Sequence, residues 1–213
     1  MSAHSQPIAV LGWLVSRASG IVALVLVSLS VVLGLAMAAK VLTGPGRKRW
    51  AVRMHEHMAV TSLVAIGIHG LALLGDKWLA PGVVGITVPF ALHYRPVFTG
   101  VGIIAGYLTV LLGPSFYLRR RIGARRWRSL HRATVLVWLL AVVHALGAGS
   151  DGTTAWLRVI VLAPVAPIVY LLVLRALGTE RSDRRDRHGR PPRVAQRTHR
   201  LEPMDVAPDM PAP

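Results

Sequence analysis

Five long apolar stretches constrain this chain more than any short motif does. A helix needs about 20 apolar residues to cross a bilayer core, and such stretches cover about 8–39, 52–74, 97–118, 130–147 and 154–174. In lipid, every backbone N–H and C=O must be satisfied within the protein, which admits only helices and closed barrels. Apolar runs this long are helices. The expected fold class is all-α, a polytopic transmembrane bundle of about five spanning helices. The first stretch ends in "AMA" at 36–38, which looks like a signal-peptidase site. Its apolar run is too long for a signal peptide, it contains Arg17, and no basic segment precedes it, so we read it as a retained helix.

Cationic residues are distributed unevenly between the connections. "GPGRKRW" and Arg53 follow the first stretch, six arginines lie between Arg119 and Arg128 after the third, and arginines crowd the tail from Arg175 to Arg200. The connections after stretches two and four hold few cations. Positive charge stays on the cytoplasmic side, so a multi-pass cell-membrane protein is expected, with its N-terminus outside and its C-terminus inside. The net charge of +16 is then mostly topology plus a tail. Basic patches also bind phosphate, but these flank membrane spans without interleaved aromatics, so the expected partner is the lipid bilayer and no nucleic acid. Residues 178–213 are charged, then proline-rich, with few apolar residues, a composition that reads as a disordered cytoplasmic tail. The division expected is therefore 1–177 as the membrane domain and 178–213 as tail.

The chain has no cysteine, which excludes thiol catalysis, cysteine-ligated clusters and covalently attached haem. Histidine is the conspicuous alternative. "HEHMAVTSLVAIGIH" at 55–69 carries three, and His131 and His144 lie in the fourth stretch. Ionisable residues at membrane depth are costly and usually functional. Stretches two and four run in the same direction, both starting from the cytoplasm. His55 and His131 sit near their beginnings. His69 and His144 lie 14 and 13 residues further on, a rise of about 20 Å. The four form two levels, each with one imidazole from each of two helices. Fourteen residues return to within about 40° on a helical wheel, whereas His57 falls about 120° from His69, which favours His55 over His57. Thirteen residues leave His131 and His144 about 140° apart, so that span needs overwinding, a bend or ligation from a flank. Two facing imidazoles at one level suit a six-coordinate haem b, and two such haems in series suit electron transfer across the bilayer.

"HEHMAVTSLVAIGIH", "VPFALHYRPVFTGVG" and "LRRRIGARRWRSLHRATVLVWLLAVVHALGAGSD" together resemble the ferric reductase-like transmembrane domain family. That family includes the membrane parts of ferric reductases and NADPH oxidases, and the haem-binding membrane subunit of a bacterial methionine sulfoxide reductase. The resemblance covers about 10–175, and its most specific piece is the basic loop ending in "WRSLH", with a second histidine 13 residues later. It implies haem ligation by His55, His69, His131 and His144, as pairs His55/His131 and His69/His144. Five spans are visible where many members have six. About 36 residues follow the last span, too few for a flavin and nicotinamide domain, so the chain is expected to be an oxidoreductase electron-transfer subunit without its own NAD(P)H domain. "GVGIIAG" at 100–106 lies inside an apolar span without a preceding strand, so its glycines read as helix-packing residues rather than a dinucleotide fingerprint.

Arg17 lies within the first span at the depth of His69 and His144, where it is expected to pair with a haem propionate. Arg132 is the corresponding candidate for the other haem. The expected function is a two-haem relay to an extracytoplasmic acceptor, either ferric iron or a partner reductase, fed by a flavoprotein or by quinol. The alternative is a proton- or metal-handling transporter using the same histidines.

Overall fold

The computed structural model describes residues 5–188, with side chains described over 10–178. The described residues are helical and contain no strand. Five helical segments are long and apolar enough to cross a membrane: Val10–Ala38, Pro45–Leu73, Pro96–Phe116, Ala124–Ala148 and Ala155–Gly178. The expected all-α, five-span architecture is therefore the one observed.

Three of the five spans are interrupted, each for a local reason. Helix α1 (Ser5–Ala38) and helix α2 (Pro45–Leu73) are continuous. Lys40 adopts a left-handed φ of 58° just past α1, and the Val41 N–H donates to the Ala36 carbonyl at 3.1 Å, closing the helix end. Pro45 opens α2 at a position where its missing N–H costs nothing. This helix starts seven residues earlier than expected, because Arg47, Lys48 and Arg49 are good helix formers and extend the apolar segment outward. Helix α3 (Gly82–Thr87) lies in the connection to α4 (Pro96–Leu112), and α4 stops at Gly113–Pro114, where a 3₁₀ turn takes over. The basic connection is itself helical, as α5 (Arg119–Ile122) and α6 (Ala124–His131). Helix α7 (Thr134–Ala148) follows after a turn at Arg132–Ala133. The last span is α8 (Ala155–Leu162) and α9 (Val165–His188), separated at Pro164, which cannot donate the next helical bond. Of the tail expected over 178–213, residues up to His188 continue α9 as helix, and the remainder lies outside the described residues.

The chain divides into a compact unit through Leu172 and a second unit from Val173 onward. In the first unit α1 packs on α2, α4 packs on α7, and α1 also touches α7. Buried positions on α1 recur at helical spacing through Ala23, Leu24, Ser28, Val31 and Leu35. Helix α2 buries only small residues, Ala51, Ser62 and Ala65, which lets a neighbouring backbone approach closely. Trp138 is buried, and its indole N–H donates to Ser28 Oγ at 2.9 Å, tying α7 to α1. Large apolar side chains such as Leu29, Val64, Leu111 and Val159 point outward, as they would toward acyl chains.

The connection 75–96 is ordered by its own polar groups. Buried Asp76 accepts the backbone N–H groups of Trp78 and Leu79 at 2.9 and 3.1 Å. Tyr107 donates to the Thr87 carbonyl at 2.5 Å, and Arg95 donates to the Gly147 carbonyl at 2.6 Å, joining this connection to α4 and α7.

Candidate metal centre

The four singled-out histidines meet in two pairs. The ring centres of His55 and His131 are 6.0 Å apart with planes at 81°; those of His69 and His144 are 6.1 Å apart at 78°. Two imidazoles ligating one metal from opposite sides at about 2 Å each have ring centres roughly 6 Å apart. Both pairs have that spacing. His57 is exposed on another face of α2 and joins neither pair, as the helical wheel predicts.

Helix α1 orients both α2 rings. His69 Nδ1 donates to the Ser16 carbonyl at 2.8 Å, with Ser16 Oγ at 3.1 Å. His55 Nδ1 donates to the Ser30 carbonyl at 2.9 Å, with Ser30 Oγ at 3.0 Å. Four residues after each serine stands a glycine on the same face, and each makes room for the ring. A Cβ on Gly20 would lie 2.9 Å from His69 Nδ1, and one on Gly34 would lie 3.2 Å from the His55 ring. The Ser-x-x-x-Gly unit thus occurs twice on α1, 14 residues apart, matching the spacing of His55 and His69 on the antiparallel α2. On the other helix pair, His144 Nδ1 donates to the Phe98 carbonyl at 2.9 Å, and Gly102, four residues on, packs against the ring so closely that no Cβ fits. A carbonyl only accepts, so in these three histidines Nδ1 carries the hydrogen and Nε2 keeps its lone pair for a metal.

The fourth histidine is held differently. His131 ends α6 and stacks on the Trp127 indole, with ring centres 5.0 Å apart and planes at 23°. The turn that follows it supplies part of the missing rotation, and the break in the helix leaves the rest to a change of direction. The Ala133 N–H donates to the Leu130 carbonyl at 2.9 Å, and that of Val135 to the Arg132 carbonyl at 3.3 Å, both three residues back. Such 3₁₀ bonds overwind the chain by about 20° per residue. The span is broken between its two histidines, and both rings still reach α2.

A cavity of about 580 Å³ surrounds the His69/His144 pair, walled by Gly20, Gly102, Gly106 and Ile103 and bounded at one end by Arg17 and Asp151. Residues of the 75–96 connection, Trp78, Ile86 and Leu92 among them, also line it. Arg17 is engaged by Asp151, with Nε to Oδ2 at 2.6 Å and Nη2 to Oδ1 at 2.8 Å, and its guanidinium lies 5.1 Å from the Trp13 ring centre. This two-point pair uses both carboxylate oxygens. Arg132 is exposed at the α6–α7 turn. Glu56, the acid nearest the pairs in sequence, accepts from the exposed Tyr117 hydroxyl at 2.9 Å, and this raises the Tyr117 pKa above its ordinary value. Among the described residues no group of three or more His, Asp or Glu side chains gathers, so the protein offers two donors per level. Sequence reasoning did not single out Ser16, Ser30 or the Phe98 carbonyl. The twin Ser-x-x-x-Gly unit is the signal that could have found the serines.

The fold and the paired imidazoles define a polytopic helical membrane protein with two histidine pairs between its spans. The chain belongs to the family described as ferric reductase like transmembrane component, which matches residues 19–142. Among curated proteins it is similar to the protein-methionine-sulfoxide reductase heme-binding subunit MsrQ of Salmonella arizonae, at 34% identity over 92 residues, 42% of this chain and 38% of that protein. The subunits of the same name from Salmonella paratyphi B and Salmonella newport are 33% identical over the same shares. The chain thus matches well under half the length of these relatives. No solved structure matches it.

Proposed function

We propose that this chain is a b-type membrane cytochrome. It would hold one haem between His55 and His131 and another between His69 and His144, and carry electrons to an extracytoplasmic acceptor. The carrying observation is the duplication: two imidazole pairs with ring centres 6.0 and 6.1 Å apart and planes near perpendicular. A bare transition ion would find two donors where it needs four or more. A porphyrin would supply four nitrogen donors of its own, so two histidines would complete the set. The donor chemistry fits, with Nε2 free on His55, His69 and His144, and the glycines at 20, 34 and 102 let three of the rings lie directly against neighbouring backbone.

When bound, a b-type haem supplies a one-electron ferric/ferrous couple. The residues that would hold the group are His55 with His131 and His69 with His144, and ligation by two imidazoles would favour electron transfer over oxygen binding. Ser16, Ser30 and the Phe98 carbonyl fix the tautomer and the rotation of their rings. The apolar bundle excludes water and lowers the dielectric around each site. Arg17, at the cavity end, and Arg132, beside His131, are the cations suited to haem propionates. Asp151 holds the Arg17 guanidinium in place.

The basic segments 45–53 and 119–132 belong to the cytoplasmic side and the connection 75–96 to the outside. The His55/His131 site then lies toward the cytoplasm. Residues 1–177 form the haem domain, and 178–213 form a cytoplasmic tail. A cytoplasmic flavoprotein or quinol is the donor. The similarity to named subunits of a methionine sulfoxide reductase favours a partner reductase over free ferric iron as acceptor.

The test is a dithionite-reduced minus oxidised spectrum of protein purified with haem supplied during expression. Sharp b-type bands at about two haems per chain are expected. A folded sample without haem would refute the reading and return the histidines to protons or metal ions.

A further inference from the structure

Three of the four imidazoles give their Nδ1 hydrogen to a backbone carbonyl. His131 does not. Its Nδ1 is buried and has no hydrogen-bond partner among the described residues. In place of a carbonyl, the ring has the stacked Trp127 indole, whose own N–H donates to Ser115 Oγ at 3.2 Å. The backbone explains the difference. On α4 and α7, His144 lies against Phe98. The same antiparallel register, carried back 13 residues to His131, would bring up Leu111. Helix α4 ends at Leu112 and the Arg132–Ala133 turn separates α6 from α7, so the register is not kept. On α1 and α2, both continuous, it is kept, and both histidines are served.

We propose that the two haem sites are built unequal, with the His55/His131 site having the higher reduction potential; this rests on the haem-binding reading above. An imidazole whose Nδ1–H is drawn toward a carbonyl is a more basic ligand and favours the ferric state. The His69/His144 pair has two such bonds and the His55/His131 pair has one. Local charge acts in the same direction. The six arginines of α5 and α6 lie on and beside the helix that carries His131, and positive charge favours the ferrous state, the less positive of the two. At the other site Asp151 offsets the charge of Arg17. With both sites loaded, an added reductant would therefore populate the His55/His131 site first.

The experiment is a spectroelectrochemical titration of the full chain carrying two haems, repeated on S16A and S30A. Each variant removes one hydroxyl beside one Nδ1 without touching a ligand. Two resolved components are expected. S30A should shift only the higher-potential component and S16A only the lower. H144A, which removes one ligand, should retain the higher-potential component; if it fails to fold, the serine variants still assign both. A single component, or an assignment in which S16A moves the higher one, would overturn the inference while leaving haem binding intact. A chain without a Soret band before titration would instead overturn the functional reading, and this inference with it.

Discussion

His55 Nδ1 lies 2.9 Å from the Ser30 carbonyl, and 14 residues along the same helix His69 repeats that contact with Ser16 at 2.8 Å. One helix thus presents two histidines and its antiparallel neighbour presents two matching acceptors. The repeat on α1 has to be in phase with the repeat on α2, and a shift of one residue in either would break both contacts.

The histidine assignments are tested one at a time. H55A and H69A should each lower bound haem from about two per chain to about one, because an iron left with one axial imidazole holds its haem weakly. H57A, on an exposed face of α2, should leave haem content unchanged. Pyridine haemochrome quantification against protein mass gives the ratio. Loss of haem in H57A with retention in H55A would reverse the assignment.

Gly102 has no room for a Cβ beside His144. G102V should therefore displace that ring and lose about one haem per chain, sparing the His55/His131 site. G67V, at a glycine with nothing within 4 Å of an added Cβ, is the matched control. Equal haem content in both variants would show that His144 needs no such clearance.

The Arg17–Asp151 pair is partly buried, with side chains 33% and 14% exposed. A pair in that range is worth more than a surface bridge and less than a fully desolvated one, about 1–2 kcal/mol. D151N should lower the thermal midpoint by a few degrees, and the double-mutant cycle with R17Q should give a coupling of about 1 kcal/mol. A coupling near zero would make the contact incidental.

Trp138 combines a buried ring with a hydrogen bond to Ser28 across α1 and α7. W138F keeps most of the volume and should cost about 1 kcal/mol for the lost bond. W138A leaves a cavity and should cost about 3–5 kcal/mol. Thermal unfolding in one detergent compares the two, and similar losses would mean that packing contributes little.

The five spans were legible because apolar length is a property of the chain alone: a lipid-facing helix shows it without knowledge of its neighbours. The levels of the histidines were legible for the same reason, since rise per residue is fixed along a helix. Helix interruptions were less so. Pro164 and Gly113–Pro114 are visible as breakers, but the turn at Arg132–Ala133 contains neither proline nor glycine. Its two i−3 bonds belong to the way α6 and α7 meet, and the break they mark lets a 13-residue spacing bring both rings to α2.

What the sequence determined by itself was the class of protein, an all-helical membrane chain, and the four histidines at two depths, because hydropathy and helical rise need only the order of residues. Tertiary structure alone decided which atoms serve those histidines. Ser16 and Ser30 look like ordinary polar interruptions of an apolar helix until α1 is docked antiparallel on α2. Gly102 reads as a packing residue until α7 brings His144 against it. The buried, unserved Nδ1 of His131 depends on where two helices stop. A hydrogen bond between helices requires a register between them, and register is set by packing rather than by either segment's composition.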